Sequence, residues 1–503
     1  MLCIKRLSHG ILNVVAAGKW CPITLSRNGV PLSHLFFAND LLLFAEASTE
    51  QASVISSVLD SFCYISGSKV NKSKTLIHFS KNVGDREASA ISRMLGYSVS
   101  NDLGKYLGVP LHHSRVSSGM YQEIIEKVER RLSGWTAFHL SLAGRITLAQ
   151  SVFQAIPIYV MQTVKLPSGV RDRIDKACRG FIWSGVSPQQ KLSMVSWRNV
   201  CKPKSIGGLG FKSLSMMNKA LHMKLAWGFI SSPESLWVTV LRTKYGVAKD
   251  TLPETLHTRY GSHLWKSIGT VWSEVLTSRR WCLGNGESVR FWWDLWVTKD
   301  MPLATYAMDT IPVNILDCKV SVFIKNDGSW WWDQFEYLLP NNIILQIAVV
   351  LPPSSMHGTD TCFWTHSRTG LFTTKSTYLM LARSSLVIED YRWRSVWRWK
   401  SPQSVRIFLW LALQDRLKTK TELAQRHVPI SEACDRCGAS VEDTLHVLRD
   451  CMVARTFWLK IVPLEKRQSF FNSNLSTWLC GNVEDVSRSQ NISNWSVFFG
   501  IGV

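Results

Sequence analysis

Apolar and polar positions alternate in short registers near the start of the chain and at helical spacing along most of the rest. Residues 32–44 predict two short strands around a turn, with Leu35, Phe36, Phe37 and Ala38 running into Asn39-Asp40 and Leu41 to Phe44 running out. Residues 49–64 place Val54, Val58, Leu59 and Phe62 near helical spacing, and Ser66-Gly67 supplies the stop. From 119 to 165 the helical pattern returns. Ile124, Ile125, Val128 and Leu132 form one stripe, Lys127, Arg130 and Arg131 fill much of the remainder, and Pro157 is expected to end or kink the second helix. A helix-rich block with a turn at Gly207-Gly208-Leu209-Gly210 extends to about 245. From Trp281 the pattern turns strand-like, predicting a hairpin with its turn at Gly284-Asn285-Gly286 and alternation through Val289, Phe291 and Trp293. A second hairpin is expected from Cys362 to Trp364, through Ser367 to Gly370, into Leu371-Phe372. Helices resume at 375. One from about 404 carries Ile407, Phe408 and Leu411, and the next opens on Thr419 to Glu422 in the spacing of a capping box. The class predicted is α+β, mainly α, with changes of pattern near 80, 170, 250 and 385.

Composition narrows the class. The apolar run from Leu35 to Ala45 is interrupted by Asn39-Asp40, and no stretch approaches the ~18 residues of a membrane span, which excludes a helical membrane protein. With 46% apolar and 19% charged residues, the chain is not disordered. Lys5-Arg6 followed by Ile11 to Ala17, with Asn13 inside, is too poor a core for a secretory signal. The expected location is intracellular, nucleus or cytoplasm, where the twelve cysteines stay reduced. A formal charge of +21 points to a polyanion. Between Tyr391 and His427 nine Lys or Arg face only Asp415 and Glu422, and the same excess runs from Lys165 to Lys204. In the first stretch Arg392, Arg394, Arg398, Lys400, Arg406, Lys418 and Lys420 are candidate contacts to RNA or single-stranded DNA, interleaved with Trp393, Trp397 and Trp399. Solvated helix faces and tryptophans in the core are the alternative reading of the same residues. Oligomeric state is not legible.

Two constellations carry chemistry. Cys434 and Cys437 form a knuckle that presents two thiolates to one ion, and His446 and Cys451 complete the four N/S ligands of a closed structural zinc site. On an α-helix, residues five apart lie roughly 140° around the axis, so the chain must turn before Cys451. The other is Asn39-Asp40. Paired carboxylates on a hairpin turn hold two magnesium ions in polymerase palms, but Asn39 is neutral and Asp40 stands alone. Gly207 to Gly210 lacks the third glycine of a dinucleotide loop and reads as a turn, and His112-His113 lacks a third ligand and reads as surface.

The run from His34 to Ala45 resembles the phenylalanine-alanine-aspartate-aspartate motif of reverse transcriptases from plant LINE-type, non-LTR retrotransposons. Further segments are similar to that family in collinear order: Ser66 to Lys74, Lys105 to Leu111, Leu142 to Arg145, Ile156 to Tyr159, Phe181 to Trp183, Gly207 to Gly210, Phe372 to Tyr378 and the Cys434-Cys437-His446-Cys451 set. The resemblance implies a palm remnant over 1–80, a helical thumb-like region over 81–170 and a helical connector over 171–250. It continues with a Trp-rich mixed connector with hairpins over 251–385, a zinc-binding reverse-transcriptase domain over 386–465 and a tail over 466–503 that leads toward a ribonuclease H domain. It also implies that Asn39 replaces a metal-binding aspartate, leaving Asp40 vestigial, and that the partner aspartate belongs upstream, where residues 1–38 hold no Asp or Glu. Asn491 to Val503 hold none either, so no ribonuclease H chemistry is expected from them. The expectation is a degenerate, catalytically inactive reverse-transcriptase fragment that retains nucleic-acid and structural zinc binding. The alternatives are RNA-directed DNA polymerase activity with magnesium inside a longer polyprotein, and a zinc-scaffolded protein-interaction module.

Overall fold

The computed structural model describes residues 2–27, 29–102, 104–111, 118–133, 139–184, 192–248, 252–298, 301–383, 390–484 and Phe499. His112-His113 and the tail beyond Glu484, Phe499 excepted, lie outside them. Helices dominate and the strands form two-stranded ladders, as expected of an α+β, mainly α chain. Two compact units are each built from two stretches of sequence: Met1–Met120 with His222–Thr377, and Tyr121–Leu221 with Tyr378–Val503.

In the first unit the strands His34–Phe37 and Asp40–Leu43 pair antiparallel, with Phe36 opposite Leu41 and Phe37 opposite Asp40. Side chains alternate across such a ladder, so Phe36 and Leu43 pack on one face against the core of Leu7, Ile11, Trp20 and Leu59, while Phe37 stays exposed. The helix Thr49–Ser66 supplies Leu59. It starts at Ser48, whose side chain accepts from the Gln51 N–H, and ends at Gly67 in the left-handed region.

The two β-hairpins expected after 281 do not form. Arg279–Cys282 instead pairs antiparallel with Thr361–Trp364, Trp281 opposite Cys362. The Gly284–Gly286 turn is held by Asp360, whose carboxylate accepts the N–H groups of Gly284, Gly286 and Ser288 at 2.8–2.9 Å. Val289 and Phe291 then enter a core rather than a returning strand. The Ser367–Gly370 turn does close, through Trp364 N–H to the Gly370 carbonyl at 2.7 Å, but Leu371 and Phe372 follow it as coil. Alternation reports that a segment is half-buried in a ladder and says nothing of its partner. Most tryptophans of this region are core: Trp292, Trp296 and Trp330 are buried, with the Trp296 and Trp330 rings stacked at 5.5 Å.

In the second unit the helix Gln122–Ser133 buries the stripe Ile124, Ile125, Val128 and Leu132. It packs with Leu142–Met161 and Ser168–Ser184. Pro157 does not end the helix Leu142–Met161, which continues a further turn past it with Pro157 buried. The loop after it is tied by buried Asn218, which accepts the Leu166 N–H and donates to the Met161 and Val164 carbonyls. Gly207 ends the short turn Lys204–Ile206 at φ 89°, and a β-carbon there would stand 2.7 Å from the Trp393 ring. Its carbonyl accepts from Trp410 Nε1 at 2.8 Å and Gln414 Nε2 at 2.7 Å. The glycine turn is thus a seat for the helices Tyr391–Arg398 and Gln403–Leu413. Val396 and Leu409 of these helices, with Trp399 between them, join a core with Leu448, Trp458, Phe470 and Trp478.

Candidate metal centre

Cys434, Cys437, His446 and Cys451 converge, with their ligand atoms all within 4.8 Å of one another. Cys437 Sγ and His446 Nε2 lie 3.3 Å apart. Among the described residues no other group of three or more His, Cys, Asp or Glu is placed to share an ion.

The knuckle is closed by Gly438, whose N–H reaches the Cys434 carbonyl at 2.9 Å and whose φ of 72° calls for glycine. This turn aims backbone amides at sulfur. The Ala439 N–H, then contacts from the Cys434 thiol, the Met452 N–H and the Cys451 thiol, pull the Cys437 thiol down to about 7. The Arg436 amide also pulls on Cys434, but burial and hydrogen bonds to Glu442 and Cys437 leave that thiol raised. Cys437 is therefore the readier thiolate.

The 140° problem is solved by a rarer turn. His446–Asp450 is π-helical, and the Cys451 N–H bonds to the His446 carbonyl at 2.7 Å, an i→i+5 closure that brings Cys451 back over His446. Asp443 starts the turn by accepting the His446 N–H at 2.7 Å. Arg449 fixes it from behind: 4% exposed, it pairs with Asp450 and donates to the Phe470 and Ser473 carbonyls. Leu448 O accepts from buried Trp458 Nε1 at 2.8 Å. Three thiol sulfurs and one imidazole suit a soft tetrahedral ion. Zn–S bonds of ~2.3 Å would set the sulfurs ~3.8 Å apart, about an ångström inside the present spread.

Beside the cluster, Thr419 caps the helix Lys420–Gln425 by accepting the Glu422 N–H. The capping box is only half closed, because the buried Glu422 carboxylate goes to Arg416 at 2.7 Å and Arg426 at 2.6 Å. Arg426 also donates to the Ser193 and Met194 carbonyls, tying the helix to the earlier stretch of its unit. Arg449 and Arg426 had no sequence signal beyond charge, and Glu422 was legible only as a capping-box residue and not as the buried partner of two arginines.

The candidate nucleic-acid contacts divide by partner. Arg392 is held by Asp390 and Lys420 by Asp435 and the Ala433 carbonyl. Arg394, Arg398, Lys400 and Lys418 are exposed with no ion pair among the described residues, and Arg406 is half-buried. On the hairpin, Asn39 and Asp40 are both exposed. Burial, and secondarily the Asp40 charge, raise the Tyr106 phenol.

The family model described as zinc-binding in reverse transcriptase matches residues 372–458, a span that contains all four converging residues. A protein of Arabidopsis thaliana named as a ribonuclease H protein is 32% identical over 401 residues, 78% of this chain and 64% of its own length. The chain thus spans less than two thirds of that relative. An uncharacterised mitochondrial protein of the same plant is 32% identical over 152 residues, 30% of this chain and 97% of its own length.

Proposed function

Because the chain belongs to the plant retrotransposon reverse-transcriptase-related proteins, we propose that it is a LINE-type, non-LTR fragment that binds nucleic acid around a zinc-stabilised domain and does not polymerise. The observation that carries the reading is the convergence of three cysteines and one histidine through a knuckle and a π turn. One zinc ion would be held by Cys434, Cys437, His446 and Cys451, leaving no open position for a substrate. Its contribution is to folding, since the ligands come from a segment with few buried apolar side chains of its own.

Polymerisation needs paired metals, and Asp40 has no second carboxylate beside it on the hairpin turn, where Asn39 offers only an amide oxygen. A longer product that supplies the missing carboxylates is the second reading, and magnesium would belong to it alone. RNA or single-stranded DNA is the proposed partner, through Arg392, Arg394, Arg398, Lys400, Arg406, Lys418 and Lys420. Among the described residues no helix is long and apolar enough to cross a membrane, and the reduced thiols this site requires fit the nucleus or cytoplasm.

The test is metal content and primer extension on the purified 503-residue chain. One zinc per chain is expected, lost in Cys434→Ala, and no template-dependent incorporation is expected before or after Asn39→Asp. Zinc retained in Cys434→Ala would remove the ligand assignment. Incorporation abolished by Asp40→Ala would establish the polymerase reading instead.

A further inference from the structure

Three tryptophans sit in the basic stretch, and the fold treats them differently. Trp393 and Trp399 are buried, one against Gly207 and one in the core, while Trp397 remains half-exposed. Lys204 places its ammonium 4.8 Å from the centre of the Trp397 ring. Arg406, in the first turn of its helix, donates to the Trp397 carbonyl, and its Nε is buried with no hydrogen-bond partner. Arg394 lies one helical turn before Trp397, on the neighbouring surface.

These cations differ from the paired ones of their unit. Arg392 has Asp390, Arg416 and Arg426 share Glu422, Lys420 has Asp435 and Arg449 has Asp450. Among the described residues no carboxylate pairs with Lys204, Arg406 or Arg394. Burial and, secondarily, the nearby Arg406 charge depress the Lys204 ammonium.

We propose that Trp397 is a stacking platform for one base of a single-stranded nucleic acid, with the flanking phosphates taken by Lys204, Arg406 and Arg394. In the free protein the Lys204 ammonium covers the ring by a cation–π contact. When a base takes that face, the flexible lysine swings to the phosphate, so a single strand supplies both the π-surface and the anion. An acidic peptide would satisfy the charges and leave the indole unused. The inference rests on the nucleic-acid reading above and assigns it a place where the two basic stretches meet, at Lys204 and Trp397.

Fluorescence anisotropy of the full chain with a labelled single-stranded oligouridylate tests it. Trp397→Leu is expected to weaken binding roughly 5- to 100-fold with an unchanged salt slope, and Trp397→Phe to restore most of it. Lys204→Gln and Arg406→Gln are expected to reduce the slope of log K against log salt by about 0.7 each. Lys81→Gln, an exposed cation of the other unit, should change neither. No binding by the unaltered chain would overturn the nucleic-acid reading itself. Binding that is indifferent to Trp397→Leu, or lost equally in Trp397→Phe, would overturn the platform alone. Polyglutamate competing as well as the oligouridylate, or an equal loss in Lys81→Gln, would reduce the site to general charge.

Discussion

Asp175 shows how one side chain can set a pH dependence for its whole unit. It lies inside the helix Ser168–Ser184, and burial pushes its carboxyl to about 6, Asp172 adding to the rise and Arg179 and Arg171 opposing it. The Trp197 indole N–H also opposes the rise but closes no hydrogen bond, so Oδ1 has no partner among the described residues. The folded state therefore keeps a proton that the unfolded chain releases near pH 4. Stability falls as pH rises from about 4 to about 6, and the deficit is complete above that. Asp175→Asn should add about 1–3 kcal/mol at pH 7.5 and flatten the slope between pH 4 and 6 in urea titrations. Gly207 is the opposite kind of residue, one whose absent side chain matters. Gly207→Ala would combine a positive φ with a collision against Trp393, and a loss of about 2–4 kcal/mol of unfolding free energy in denaturant titrations is expected.

Elements were legible in the sequence wherever their reasons were local. The helices at 49–66, 122–133 and 403–413 and the hairpin at 34–43 follow from spacing, a cap or a turn that each segment carries within itself. The strand pair 279–282 with 361–364 was not legible, because it depends on Asp360 gathering three amides more than seventy residues away. The metal cluster falls between these cases. Its four residue types announced themselves, but an α-helical reading of residues 446–451 left two ligands diverging, and only the i→i+5 turn reconciles them. The spacing and the turn are therefore matched to each other. Inserting one alanine after Val447 should set the two ligands six apart, about 120° around an α-helix, and release zinc as completely as Cys434→Ala does. Retention of metal by the insertion, measured by plasma mass spectrometry, would show that this match is dispensable.

At the scale of the molecule, sequence order misleads about what the metal supports. Read linearly, loss of zinc would loosen 420–460 and leave everything before 245 intact. Yet Arg426 holds the Ser193 and Met194 carbonyls, and Trp410 holds Gly207 across 203 residues. A chelator should therefore open 121–221 together with 420–460 to protease, while Met1–Met120 and His222–Thr377 resist. Mass mapping of the fragments checks this, and cuts confined to 420–460 would show that the earlier helices hold themselves. The same interleaving imposes a schedule on synthesis. The 121–221 segment leaves the ribosome roughly 150 residues before its complement begins to appear. At about 5–20 residues per second, that is a wait of roughly 10–30 s. Throughout it, the Gly207 turn has no Trp393 or Trp410 to seat, and apolar surface meant for later helices faces water. A nascent-chain holdase would find its substrate in that interval, and an early stop codon anywhere in 222–377 would make the interval permanent.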